Sequence, residues 1–218
     1  MKSLLIPVVV GLFSLNFLVI KNDSILGKIT ELERFINFAN NVRDVDYMRQ
    51  KTHHKVNRII ARFNPDMDVE MRHDIAEEIY EMSVKYPNLD VDLICAMITH
   101  ESGRSWHPEA TSWAGAMGLM QIMPGTGKWL APVDGIAWTT PEEVLYHPVH
   151  NIRMGCRYLS TLIEMYGLEG GLAAYNGGGR VVERWLASDK ADDILWAETR
   201  NYVPFVLKLY DEFKKLSI

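Results

Sequence analysis

From Asp66 to the C-terminus, apolar residues recur at spacings of three and four, and no stretch alternates convincingly at a period of two. That regularity argues against a sheet of any size, because a half-buried strand must alternate. The segment VEMRHDIAEEIYEMSVKYP carries Met71, Ile75, Ile79 and Met82 on one side and stops before Pro87. ICAMITHESGRSW follows and ends at Ser102-Gly103, a reasonable helix stop. In TTPEEVLYHP, Thr140 sits at an N-cap, Pro141 at the first helical position and Glu143 three residues after the cap, a capping-box signature. Beyond Pro148, Ile152, Cys156, Leu159, Ile163 and Tyr166 form a stripe that ends at Gly167. GGLAAYNGGGRVVERWLAS reads as two short helices joined by a glycine triplet. The last segment puts Val203, Val206, Tyr210 and Phe213 on one face. The expected fold class is all-α, in one domain over residues 65–218.

The N-terminus is different. After Lys2, an uncharged and mostly apolar run extends from Leu4 to Ile20. As a helix it would span about 25 Å, slightly short of a bilayer core. A cleaved signal peptide wants small residues at alternate positions before the cut, yet no alanine occurs before Ala39. Residues 1–21 are therefore expected to be a retained signal-anchor, ahead of a cleaved signal peptide, with membrane as a partner. Residues 22–64 are polar, with Ile25, Ile29, Leu32, Phe35, Ile36 and Ala39 at amphipathic spacing. They read as a helical stalk or linker that ends at Asn64-Pro65.

Charge and motifs exclude several function classes. The formal net charge is −5 and no dense Lys/Arg run occurs, which argues against nucleic acid as the main partner. Cys95 and Cys156 each fall in a predicted helix and read as small buried hydrophobes rather than as a disulfide. His100-Glu101 would begin a zinc-protease motif only with a histidine at 104, where Arg104 stands. GTGKW would be a phosphate loop only with glycine at Ile122 and Ser or Thr at Trp129. GRSWH lacks the last glycine of a nucleophile elbow. His53-His54 reads as part of a solvated face.

What remains is Glu101. Ile94, Met97, Ile98 and Glu101 stand at i, i+3, i+4 and i+7, so a carboxylate shares an oily face. Such a group is costly unless paired or protonated, and from spacing alone a structural and a catalytic glutamate are equally good readings. Three segments offer groove material. SWAGAMGLMQIMP combines Gly115 and Gly118, which permit close approach, with the apolar Met117, Leu119 and Met120 and the amide of Gln121. AAYNGGG brings Tyr175 and Asn176 to a helix end, and AETRNYV gathers Glu198, Arg200 and Tyr202 at the start of the last helix. Each alone has an ordinary structural explanation as turn, C-cap or helix start.

In order, ESG, GAMGLMQIMPGTG, AAYNGG and ETRNYV resemble the motif series of the soluble lytic transglycosylase family, related in fold to goose-type lysozyme. The resemblance covers roughly residues 75–213. It implies a lysozyme-like helical domain that cleaves the β-1,4 bond between N-acetylmuramic acid and N-acetylglucosamine in peptidoglycan glycan strands. It implies Glu101 as catalytic acid and base, without metal or organic cofactor. It carries Ser102, Ser112, Met120, Gln121, Tyr175, Asn176, Glu198 and Tyr202 over as substrate-binding or groove-lining residues. Gly177 departs from the alanine common in the family. An envelope location on the periplasmic side follows, with cell-envelope machinery as a further partner class. Two alternatives share the fold: a lysozyme-type hydrolase, whose second carboxylate would be sought in Glu109 or Glu198, and a non-catalytic glycan-binding component.

Overall fold

The computed structural model describes the backbone of residues 5–191 and 193–216 and the side chains of residues 28–191 and 193–216. Helix α1 spans Leu5–Phe63. The chain divides into two compact units, residues 1–48 and 49–218. In the first, residues 28–48 are exposed throughout, Phe35 and Phe38 included. The apolar run from Leu4 to Ile20 lies outside the residues whose side chains are described. Among the described residues no helix is long and apolar enough to cross a membrane.

The second unit is helical, as the spacing predicts. Helix α2 (Val69–Lys85) starts where the Asp68 carboxylate accepts the amides of Glu70 and Met71. Helix α3 (Val91–Glu101) starts where Asp90 accepts the amide of Leu93. Each cap satisfies donors that a helix start leaves open. Helix α4 (Pro124–Leu130) runs into a 3-10 turn, Ala131–Asp134. The short α5 (Pro141–Leu145) begins at Thr140, whose hydroxyl accepts the Glu143 amide at 3.2 Å, as its sequence predicts. Helix α6 (Pro148–Gly177) is broken at Gly167, where φ is +72°. This is where the apolar stripe ends. Helix α7 (Gly179–Ala187) follows the left-handed Gly178, and α8 (Ala197–Lys214) closes the chain. Among the described residues there is no strand, only the isolated bridges Thr111–Met117 and Met117–Ile122.

Helix α3 runs through the core, packed on α2 and α8, while α6 packs on α2, α7 and α8. Every residue from Leu93 to Thr99 is buried, so α3 is enclosed all round rather than on one stripe. Cys95, Ala96 and Thr99 fill its other faces; both cysteines are free thiols, fully buried. A smaller apolar cluster, including Met117, Ile122, Leu130 and Leu145, underlies the segment between α3 and α6.

The N-terminal limit of the unit differs from the sequence reading. Val56, Ile59 and Ile60 on α1 are at most 1% exposed and belong to the main core. The last turns of α1 are thus part of the domain, and Asn64-Pro65 marks a helix end inside it. His53 is likewise no solvated residue: its Nε2 lies 2.7 Å from Glu77 Oε2, while His54 is exposed. Two other carboxylates buried in this unit are matched by cations, Glu78 by Arg153 and Asp134 by Arg157 and Lys85.

Candidate active site

Glu101 is the last residue of α3, where the helix leaves the core. Beyond it the chain reverses sharply, with Gly103 and Arg104 both at left-handed φ. Trp106, fully buried, pins this reversal: its indole N–H donates to Thr99 Oγ1 at 2.9 Å and its amide to Ser102 Oγ at 3.0 Å. Ser102 is 4% exposed, so its hydroxyl serves this turn rather than an open groove.

The Glu101 carboxyl has no cation beside it among the described residues. Its hydrogen bond comes from α8, where the Tyr202 hydroxyl donates to Oε1 at 2.5 Å. Burial pushes its pKa up to about 7 from the usual 4.5; the Tyr202 bond works against this, and the charge of Glu198 adds to it. Desolvation wins because a single neutral donor offsets only part of the loss of water around a carboxylate. The group is therefore poised to hold or release a proton near neutral pH. The Tyr202 and Tyr175 hydroxyls are driven well above their usual range by burial first and by the charge of Glu101 second. Both remain neutral donors.

One wall of the site is the loop 110–122. Asn151 on α6, fully buried, holds it with three bonds: Nδ2 donates to Met117 O (2.9 Å) and Leu145 O (2.8 Å), and Oδ1 accepts the Met120 amide (2.7 Å). Gly118 makes room for that amide, since a Cβ there would fall 2.2 Å from Asn151 Nδ2 at a backbone φ of +81°. Gln121 is held at φ +48°, and its side-chain nitrogen donates to the carbonyls of Gly118 and Ala110. Its amide oxygen is left as the acceptor that can meet a ligand. The Tyr175 hydroxyl donates to Met120 O at 2.8 Å, tying this wall to α6 beside Glu101.

The remaining predicted residues divide. Met120 is fully buried against Gly155 and Cys156, so its side chain is core and only its backbone shapes the wall. Ser112 is half-buried and its Oγ accepts the Ala116 amide, which makes it a turn residue. Asn176 accepts the Thr199 hydroxyl at 2.7 Å, joining the end of α6 to the start of α8. Glu198 is exposed on α8, and its charge reaches both Glu101 and His100. Glu109 is exposed on the preceding loop.

Sequence reasoning missed Asn151, Trp106 and His100. An asparagine at the start of a periodic helix gives no sign of its partners 31 and 34 residues away. His100 packs edge-on against Tyr202 (centroids 4.6 Å) and Phe205 (5.1 Å), with Nδ1 buried and unbonded. Burial lowers its pKa, against the opposing charge of Glu198. Its position next to Glu101 was the available signal.

The profile of the Transglycosylase SLT domain matches residues 78–195, more than half of the chain. The chain belongs to that family. The match takes in Glu101, the loop wall, Asn151, Tyr175 and Asn176, while Glu198 and Tyr202 lie just beyond it. The domain is similar to the soluble lytic murein transglycosylase of Escherichia coli K12, 34% identical over 128 residues that cover 54% of this chain and 20% of that protein. It also resembles the membrane-bound lytic murein transglycosylase C of Photorhabdus laumondii, 31% identical over 152 residues, 65% of this chain and 42% of that one. Among solved structures, an inactive mutant of the lytic transglycosylase Slt from Pseudomonas aeruginosa superposes with a TM-score of 0.54 at 29% identity, over 63% of this chain and 23% of that chain. The chain thus spans between a fifth and two fifths of the relatives it matches.

Proposed function

We propose that this SLT domain is a peptidoglycan lytic transglycosylase that cleaves the β-1,4 bond between N-acetylmuramic acid and N-acetylglucosamine. The observation that carries the reading is the Glu101 carboxyl: half-buried at the end of α3, with no cation beside it among the described residues, hydrogen-bonded by Tyr202, and with desolvation pushing its pKa up to about 7. Supporting it are the family match and the names of the relatives, which act on murein.

In the proposed reaction, protonated Glu101 gives its proton to the bridging oxygen as the C1–O bond breaks. The carboxylate left behind takes the proton of the muramic C6 hydroxyl, which attacks C1 and closes a 1,6-anhydro ring. Glu101 is protonated again at the end and no water is consumed. The substrate's own N-acetyl group assists at C1, so one carboxylate suffices where other glycosidases use two. The Gln121 amide oxygen and Asn176 are the polar groove groups, Tyr202 orients Glu101, and Tyr175 fixes the loop wall. Neither metal nor organic cofactor takes part.

Residues 1–21 are proposed as a signal-anchor and residues 22–48 of α1 as a stalk, which would put the domain in the cell envelope on the periplasmic side. The deciding experiment uses purified protein and peptidoglycan, with products read by mass. The wild type should release ends one water lighter than hydrolysed reducing ends, and Glu101→Gln should lose activity by about 10²–10⁴-fold. Reducing ends alone would instead identify a lysozyme-type hydrolase, and an unimpaired Glu101→Gln would dismiss the site.

A further inference from the structure

Trp113 is 100% exposed, whereas the other prominent surface tryptophans, Trp129 and Trp196, are 66% and 68% exposed. The indole stands at the tip of a tightly bonded turn. The Gly115 amide donates to Ser112 O, the Ser112 amide donates to Ala116 O, and Ser112 Oγ accepts the Ala116 amide, at 2.9, 2.9 and 3.0 Å. Gly115 takes the left-handed conformation, φ +88°, that closes such three-residue hairpin loops. The base of the hairpin belongs to the site wall. The Gly118 amide donates to Ala110 O, the carbonyl that also accepts the Gln121 side chain, and Thr111 Oγ1 lies 2.8 Å from the Tyr146 hydroxyl. A turn tip ordinarily takes polar residues or proline. Here it holds out the largest apolar side chain on a frame that is fixed to the groove.

We infer that Trp113 is a stacking platform for a glycan strand, a subsite on the rim of the groove that binds a sugar ring beyond the bond being cleaved. The inference rests on the glycan-cleaving reading of the site. A pyranose presents a face of C–H groups rimmed by hydroxyls, and the negative face of an indole attracts those C–H groups while burying apolar area. A polymeric substrate extends past the reacting bond, so a rigid platform one wall away meets another ring of the same strand. Because turn and platform are pre-ordered, little conformational freedom is lost on binding. The chemistry does not favour a lipid surface: residues 105–127 contain no Lys or Arg to attract anionic headgroups.

The test compares Trp113→Ala and Trp113→Tyr in the full chain. In a Glu101→Gln background, binding of β-1,4-linked N-acetylglucosamine oligomers is measured by calorimetry. In the wild-type background, KM and kcat are measured on peptidoglycan. Trp113→Ala should weaken oligomer binding on the order of tenfold and raise KM with kcat nearly unchanged, and Trp113→Tyr should restore most of the affinity. Unchanged affinity and KM in Trp113→Ala would overturn the proposal. So would a variant whose only defect is loss of co-sedimentation with phosphatidylglycerol vesicles, which would assign the side chain to a membrane. The two readings separate cleanly. An inactive Glu101→Gln with an unaffected Trp113→Ala removes the platform alone, whereas a fully active Glu101→Gln removes the catalytic reading and leaves the oligomer affinities to judge the platform.

Discussion

Glu101 keeps its proton in the folded protein up to about pH 7, whereas a freely solvated glutamate releases it near 4.5. Between those values the folded state binds more protons than the unfolded state, so stability falls as pH rises through that window. Above the folded pKa the loss is complete and corresponds to about 3 kcal/mol. Glu101→Gln retains an oxygen for the Tyr202 hydroxyl but carries no charge. In urea titrations it should match the wild type near pH 4 and exceed it by up to about 3 kcal/mol near pH 8. A difference that does not change with pH would disprove the raised pKa. Activity should fall on the alkaline side for the same reason, since the acid must be protonated to act. Tyr202→Phe removes the bond that favours the carboxylate, so the alkaline limb of kcat should move to higher pH while kcat itself drops by roughly tenfold. A limb that stays in place would mean that Tyr202 braces the helix without tuning the acid. The oddity of Glu101 on an apolar run was legible in the sequence, and the structure supplies its cause: an enclosed helix, a neutral donor and, among the described residues, no neighbouring cation.

At the level of elements, the loop wall depends on side chains that no local pattern announces. Asn151→Ala would leave the Leu145 carbonyl and the Met120 amide buried without partners, while the Met117 carbonyl keeps only the Ile122 amide. Each such group costs about 1–3 kcal/mol, partly relieved if water enters. We expect a destabilisation of roughly 3 kcal/mol in urea unfolding, together with a raised KM as the Gln121 loop loosens. A variant as stable as wild type would show that the loop is held by its own turns. The helices themselves were readable because periodicity, caps and glycines agree at each of them. Thr140 with Glu143, the break at Gly167 and the left-handed Gly178 all stand where the sequence put them. The irregular segment was only half readable, because its hydrogen bonds are non-local. Thus Ser102 and the side chain of Met120, placed in the groove by their motifs, are buried in a turn and in the core, and the half-buried Ser112 bonds its own turn. Gly177 has a physical reason as well. A Cβ there would lie 2.8 Å from Thr199 Oγ1, so glycine leaves space for the bond from Thr199 to Asn176.

For the whole molecule, the boundary at which the folding unit begins has a measurable consequence. The polar character of residues 22–64 suggested a stalk ending at Asn64, because buried positions are sparse there and their partners lie far along the chain. Val56, Ile59 and Ile60 are nonetheless core residues. Burying three such side chains is worth roughly 5–9 kcal/mol, against about 5–15 kcal/mol for the stability of an entire domain. The same turns contribute the His53–Glu77 contact and the Lys55–Asp92 pair at 2.5 Å. A fragment of residues 49–218 should therefore unfold cooperatively with a midpoint close to that of the longer chain. It should also be more soluble, since it discards the exposed Phe35 and Phe38. A fragment of residues 65–218 should be largely unfolded or aggregated, with its α3 core open on the α1 side. Equal thermal midpoints for the two fragments would return the boundary to Asn64-Pro65 and make the last turns of α1 part of the stalk.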